Sequence, residues 1–297
     1  PEPDYDYAAD EQLIILAAES PVAAAPGPPP AGAVDPGDGR KRRSRLGRVL
    51  ILGWNDNIDE ILTELDAQVP QGAVVTVVAA HEPGYCAAYL AAVPPGGFRN
   101  LQVDSQRRDP STRAVLADLA EAARAAVIVL ADESAGSADP DARTLTVLLQ
   151  LADLESRRGP EALPQVVVEL MNGENRELLA GTPAGDVVVS PEIVSLQLGQ
   201  VSRNPILGSV YRELLSAGGI ECSLQPGSRY VATDSPCTFE DLLIRAQAFR
   251  ETAIGVAVAR EGPGSRGRRV HLNPQKQARF LLGPDDAVIV LAQQVYD

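Results

Sequence analysis

RVLILGWNDNID, residues Arg48 to Asp59, is the stretch that decides the fold. An apolar run, Val49 to Leu52, meets Gly53 and then the polar Asn55, Asp56 and Asn57, after which Ile58, Ile61, Leu62 and Leu65 recur at helical spacing. It reads as strand, tight turn and helix. That is how a nucleotide-binding α/β fold opens, with a Gly-rich turn that lets the backbone approach a pyrophosphate at the helix N-terminus. Against the pattern G-x-G-x-x-G, the chain keeps Gly53 but carries Asn55 in place of the second glycine and Ile58 in place of the third. Asp56, Asp59 and Glu60 also set negative charge where phosphates would lie, and they already serve as the helix's own N-terminal counter-charge. Gly53, Trp54 and Asn55 are the turn residues that would meet a cofactor. Glu82 follows the second strand, later than the acid expected about 20 residues past the glycines to hold a ribose. The fold signal is therefore strong and the dinucleotide signal weak.

Downstream, Ala73 to Ala80 is continuously apolar and β-branched, which means burial on both faces, as in a parallel sheet. The pattern then predicts a short strand at Leu101–Val103, a helix over Pro110–Ala123, a strand at Ala126–Ala131, a helix over Pro140–Ser156 and a strand at Gln165–Leu170. Four helix starts share one device: Asp109-Pro110, Asp139-Pro140, Ser190-Pro191 and Asn204-Pro205 each place a capping side chain before a proline suited to the first helical position. The last two head helices over Pro191–Val201 and Pro205–Ala217. Alternating strands and helices predict an α/β fold with a doubly wound parallel sheet. From Gly218 the character changes. Strands near Glu221–Leu224, Tyr230–Ala232, Ala253–Ala259, Val270–Leu272, Arg279–Leu282 and Ala287–Leu291, with one helix over Phe239–Phe249, predict a small α+β lobe. Glu261–Arg269, rich in Gly and Arg, reads as a hairpin loop.

The chain has 297 residues, 45% of them hydrophobic, enough for one large or two modest domains. A formal net charge of -14 argues against a nucleic-acid binder, which needs a basic footprint to neutralise phosphates. Apolar runs such as Ala125–Ala131 fall far short of the roughly 20 residues that cross a bilayer. Cys86, Cys222 and Cys237 are widely spaced, and His81 and His271 belong to different lobes with no associated motif. That spacing suits neither a zinc site nor a disulfide framework and fits a reducing, cytosolic compartment.

The chain starts at Pro1 and its one methionine is Met171, so it reads as a piece of a longer protein. DEQLIILA at Asp10–Ala17 and DDAVIVLA at Asp285–Ala292 share an acidic pair, an apolar core and a closing Leu-Ala in one register. Two readings stand: chance likeness of two strands, or the last strands of two copies of one kind of domain. Between them Pro21–Gly39 is a Pro, Ala and Gly linker, followed by the basic cluster Arg40, Lys41, Arg42, Arg43 and Arg45.

ILGWN at Ile51–Asn55, DARTLTVLLQLADLESRR at Asp141–Arg158 and NPQKQARFLLGPDDAVIVLA at Asn273–Ala292, in that order, resemble the Castor and Pollux ion channels and their bacterial relatives, whose cytosolic parts are RCK domains, regulators of potassium conductance. The resemblance runs from about Arg48 to the end. It implies residues 1–20 as the tail of a preceding RCK domain and 21–45 as linker. It implies 46–190 as a Rossmann-like N-lobe, 191–217 as crossover helices and 218–297 as an α+β C-lobe. It further implies a non-enzymatic role: homo-oligomeric assembly into a ring at the cytoplasmic face of a membrane pore carried by the same full-length chain, with no nucleic-acid partner. Ile193, Val194, Leu198, Val201, Ile206, Val210 and Leu214, on the two crossover helices, would clasp a partner copy or else pack as ordinary core.

The gating ligand stays open at this stage. Calcium needs several oxygen ligands. Positions that bear acids in calcium-gated RCK domains carry Asp141 and Glu169 here, while a further expected acid is Met171. Asp132 and Glu133, ending the fourth strand, and Asp56 and Asp59 offer other carboxylates near the sheet's C-terminal edge, where open α/β sheets bind ligands. The alternative is that these acids are caps and solvated turns. NAD(P) is a lesser prospect given the missing glycines. The competing functions are an NAD(P)-dependent oxidoreductase, since fold does not fix function, and a separate soluble transport regulator.

Overall fold

The structure is a computed structural model that describes residues 37, 47–81, 84–92, 97–122, 126–132, 139–159, 163–180, 182–216, 219–259 and 268–293. The strand-like segment Asp10–Ala17, the basic cluster, residues 261–267 of the expected loop and the candidate acids Glu82 and Glu133 lie outside the described residues, as does the linker apart from Gly37. The chain divides into two compact units, one within Arg42–Ser223 and one built from Leu224–Ala259 and Arg269–Val290.

The first unit runs β1 (Arg48–Leu52), α1 (Ile58–Gln68), β2 (Ala73–Ala79), α2 (Tyr85–Ala92), β3 (Leu101–Arg107), α3 (Arg113–Ala122), β4 (Ala126–Val129), α4 (Pro140–Arg158), β5 (Gln165–Leu170), β6 (Ala184–Val189), α5 (Ser190–Arg203) and α6 (Leu207–Leu215). The strands form one sheet in the order β3-β2-β1-β4-β5-β6, and all five pairings are parallel. Strand order reverses between β1 and β4, and such a fold opens its crevice at the C-terminal ends of those two strands. Alternate residues of β1 feed opposite cores. Val49 and Ile51 pack with Ile58, Leu62, Val75 and Val77, while Leu50 and Leu52 pack with Leu116, Leu119, Val147, Leu148 and Leu151. The sheet is thus covered on both faces, as its continuous apolar strands predict.

The differences from expectation have local causes. α2 is apolar on every side (YCAAYLAA), so no helical period shows. β6 (AGDVVV) hides behind Gly185 and Asp186, where its register with β5 is irregular between Val166 and Val167. Of the four Pro devices, one caps as expected: Asp139 accepts from the Asp141 amide with Pro140 in the first turn. Asp109 folds onto Ser111 instead, its Oδ1 accepting from the Ser111 amide at 2.9 Å, and α3 starts later, at Arg113. Ser190 lies inside α5, and neither α5 nor α6 has a side-chain cap.

The second unit centres on a four-stranded sheet, β10-β9-β12-β7, comprising β7 (Ile220–Pro226), β9 (Thr252–Ala259), β10 (Arg268–Leu272) and β12 (Ala287–Gln293). A two-stranded antiparallel pair joins β8 (Pro236–Thr238) to β11 (Arg279–Leu281). The expected strand at Tyr230–Ala232 is a single bridging residue, Val231, after a 3-10 turn at Gly227–Arg229. Helix α7 (Phe239–Ala248) opens with a reciprocal cap, Thr238 accepting from the Asp241 amide and Asp241 from the Thr238 amide. Phe239, Leu242 and Ala246 turn its apolar face inward. Tyr230 is fully buried and donates to Glu251, which also pairs with the buried Arg229 at 3.1 Å.

Candidate functional site

At the switch point the chain leaves β1 through Gly53, whose φ of +97° is a left-handed conformation that disfavours any side chain. A Cβ there would lie 2.9 Å from the Leu130 carbonyl oxygen. The Gly53 amide donates to Val78 O at 2.9 Å, so the turn is drawn tightly over β2 and β4. Trp54 is buried, and its ring meets His81, Tyr85 and Tyr89 edge-on at 5.4, 5.9 and 5.4 Å. An aromatic cluster thus stands beyond the ends of β1 and β2, on the side where the dinucleotide fold places a ribose.

Asp56, Asp59 and Glu60 crowd the start of α1. A hydrogen bond with Glu60 holds the Asp59 carboxyl below the usual range, and the same bond pushes Glu60 up. The negative charge read from the sequence at this helix start is thus concentrated beside the turn.

Under the turn, Asp132 is buried and ion-paired to Arg143 Nε at 3.2 Å, and Arg143 Nη2 lies 3.5 Å from Asp109. Burial pushes the Asp109 carboxyl up, but its bonds from Ser111 and the charge of Arg143 more than offset that, leaving it below the usual range. Thr144 Oγ1 donates to Leu130 O at 3.2 Å. The cavity lined by Gly53, Ser111, Asp132, Arg143 and Thr144 measures about 10 Å³, the size of one water.

Asp141 and Glu169 are both engaged by the chain itself. Asp141, 1% exposed in the first turn of α4, accepts from Met171 N at 2.7 Å through Oδ1, and from Asn172 N at 2.9 Å and Asn175 Nδ2 at 2.7 Å through Oδ2. Glu169 Oε2 accepts from Asn55 Nδ2 at 2.7 Å and from Ala131 N at 3.2 Å, while Oε1 accepts from Ser190 Oγ at 2.5 Å. Among the described residues no group of three or more His, Cys, Asp or Glu is placed to hold a metal ion. The structure therefore brings Asn55 and Glu169 together, and Asp132 beneath Gly53. Sequence reasoning missed Asn175, Ser190 and Arg143 as partners of these acids. The signal available for Ser190 was its place before Pro191, which pointed to a cap.

Helices α5 and α6 contain no buried residue. Ile193, Val194, Leu196, Leu198, Ile206 and Leu215 are exposed, Leu198 by 66%, whereas Val201, Val210 and Leu214 are half-buried. The two helices meet where Gly208 faces the Val201 methyls. Val194, Leu198 and Val201 recur at helical spacing and form one stripe.

No protein-family model matches the chain. It is similar to the ion channel DMI1 of Medicago truncatula, 26% identical over 82% of this chain and 31% of that one. It is also similar to the ion channel CASTOR of Lotus japonicus, 23% identical over 83% of this chain and 32% of that one. It thus spans about a third of the length of these relatives. The human SLO3 gating ring shares its fold, with a TM-score of 0.51 and 12% identity over 83% of this chain and 44% of that chain. Among the described residues no helix is long and apolar enough to cross a membrane.

Proposed function

We propose that the chain is a regulatory domain of a cation channel of the potassium-conducting kind. It would sit at the cytoplasmic face of a membrane as one member of a ring, without chemistry of its own. A ligand held at the C-terminal edge of the six-stranded sheet would shift the ring's shape and act on a pore formed elsewhere in the same polypeptide. Such a ligand works only to the extent that it binds one ring conformation better than the other.

The observation that supports this most is the bare α5–α6 pair. The other long helix of this unit, α4, buries a stripe of Val147, Leu148, Leu151 and Leu154. α5, α6 and the turn between them leave six large apolar side chains in water. Burying a half-exposed aliphatic side chain is worth on the order of 1 kcal/mol, so six on each of two copies supply about 10 kcal/mol. That is comparable with the ~4–15 kcal/mol cost of association. The stripe therefore suits a partner of its own kind in an assembly, with Ile193, Val194, Leu198, Val201, Ile206, Val210 and Leu214 as contacts.

The test is sedimentation of the chain at micromolar concentration beside Leu198→Asp. Self-association of the parent and a monomeric variant is the expected result. A parent that stays monomeric throughout, or an Asp variant that associates equally well, overturns the reading.

A further inference from the structure

We infer that Glu169 is a positioning residue that ties the glycine turn to the seat of α5, and that it is committed to this rather than to holding a cation. The inference rests on the reading of α5 as an assembly helix, but its geometry stands independently of it. Glu169 is the junction of four chain segments distant in sequence: its own strand β5, the turn after β1 through Asn55, the end of β4 through Ala131 and the start of α5 through Ser190. Three of the roughly four lone-pair positions of its carboxylate already hold donors of the chain, so a cation there would compete with Asn55, Ala131 and Ser190 for the same oxygens. The same holds for Asp141, whose oxygens accept from two main-chain amides and the Asn175 side chain.

Two features single the junction out. Ser190 precedes Pro191 in a sequence that suits an N-cap, yet its hydroxyl donates to Glu169 and α5 begins without a side-chain cap. Asn55 is 4% exposed and both ends of its amide are used: Nδ2 on Glu169, and Oδ1 accepting from the Asn57 amide at 3.2 Å. The Asn55 carbonyl accepts from Ile58 N, the first residue of α1. Asn55 cannot leave its place without freeing a lone pair of Glu169. Glu169 cannot follow it without releasing Ser190. A displacement of the turn at the sheet edge thus reaches the first turn of α5, which carries Ile193 and Val194. A second link, Arg176 to Glu192 at 3.0 Å, is exposed, screened and correspondingly weaker.

The test is amide hydrogen exchange on the whole chain, which reads α5 whether or not the chain associates. Asn55→Ala is expected to speed exchange over 194–197, the first amides of α5 with an acceptor inside the helix, by roughly ten-fold or more, as expected for the loss of one hydrogen bond to a charged group, while leaving β2 and β3 unchanged. Linkage is reciprocal, so Ser190→Ala is expected to speed exchange in the turn at 54–58. The double variant should add little to either single one. If Asn55→Ala proves too unstable to measure, the Ser190→Ala effect on the turn decides alone. Exchange confined to the neighbourhood of each substitution, or raised uniformly over the sheet, overturns the coupling. Protection of 54–58 and 194–197 by millimolar calcium alone shows instead that Glu169 is a cation ligand. If the couplings appear in a chain that sediments as a monomer, the junction stands and the ring reading falls.

Discussion

Asp141→Asn changes one oxygen to an NH2 at nearly constant volume and separates a structural latch from a cation ligand. The carboxylate is 1% exposed and accepts three N–H groups, from Met171, Asn172 and Asn175. A carboxamide can keep its oxygen toward Asn172 and Asn175, but its NH2 then faces the Met171 amide, donor against donor. One charge-assisted bond is lost, at about 1.5–3 kcal/mol. The negative charge in the first turn of α4 goes with it, at about 0.3–1 kcal/mol. A loss of roughly 2–4 kcal/mol of stability is expected in calcium-free buffer. Trp54 is the single tryptophan and is buried in the same unit, so urea unfolding followed by its fluorescence reports on the right part of the molecule. A cost below about 1 kcal/mol without calcium, or a cost that appears only when calcium is added, would refute the latch.

Gly53→Ala forces a side chain into a left-handed backbone, worth about 1–3 kcal/mol, and sets its Cβ against the Leu130 carbonyl. Unfolding by the same fluorescence should show at least about 2 kcal/mol of lost stability, and a neutral result would mean that the turn is free to relax. Burial pushes the Cys237 thiol up to about 11, from an ordinary value of 9.0. The unfolded chain therefore ionises first, and the stability present below pH 9 is lost as pH rises toward 11; Cys237→Ala should flatten that alkaline fall in a pH series of melting curves. In the same protein a thiol reagent at neutral pH should modify the exposed Cys222 well before the buried Cys237, which a time course with mass detection checks.

Much of the first unit was legible in RVLILGWNDNID and in the β-branched runs after it, because a strand buried on both faces has to be apolar at successive positions. The single glycine in the turn was also readable, since only a residue without Cβ fits at φ +97° over Leu130. β6 and α2 were not, because an irregular edge strand and a helix apolar all round carry no period. The exposed stripe on α5 and α6 was visible as spacing, but spacing is the same for a core face and a partner face. Only the absence of anything packed on Leu198 among the described residues separates them. The acids show the same divide. The sequence determined that Asp141, Glu169 and Asp132 would lie near the sheet's C-terminal edge, because strand and helix ends place them there. Whether their lone pairs faced solvent, a cation or the chain depended on Asn55, Ala131, Ser190 and Asn175, up to 114 residues away. Local pattern carries no record of such partners, since a carboxylate's role is set by the donors that converge on it in space.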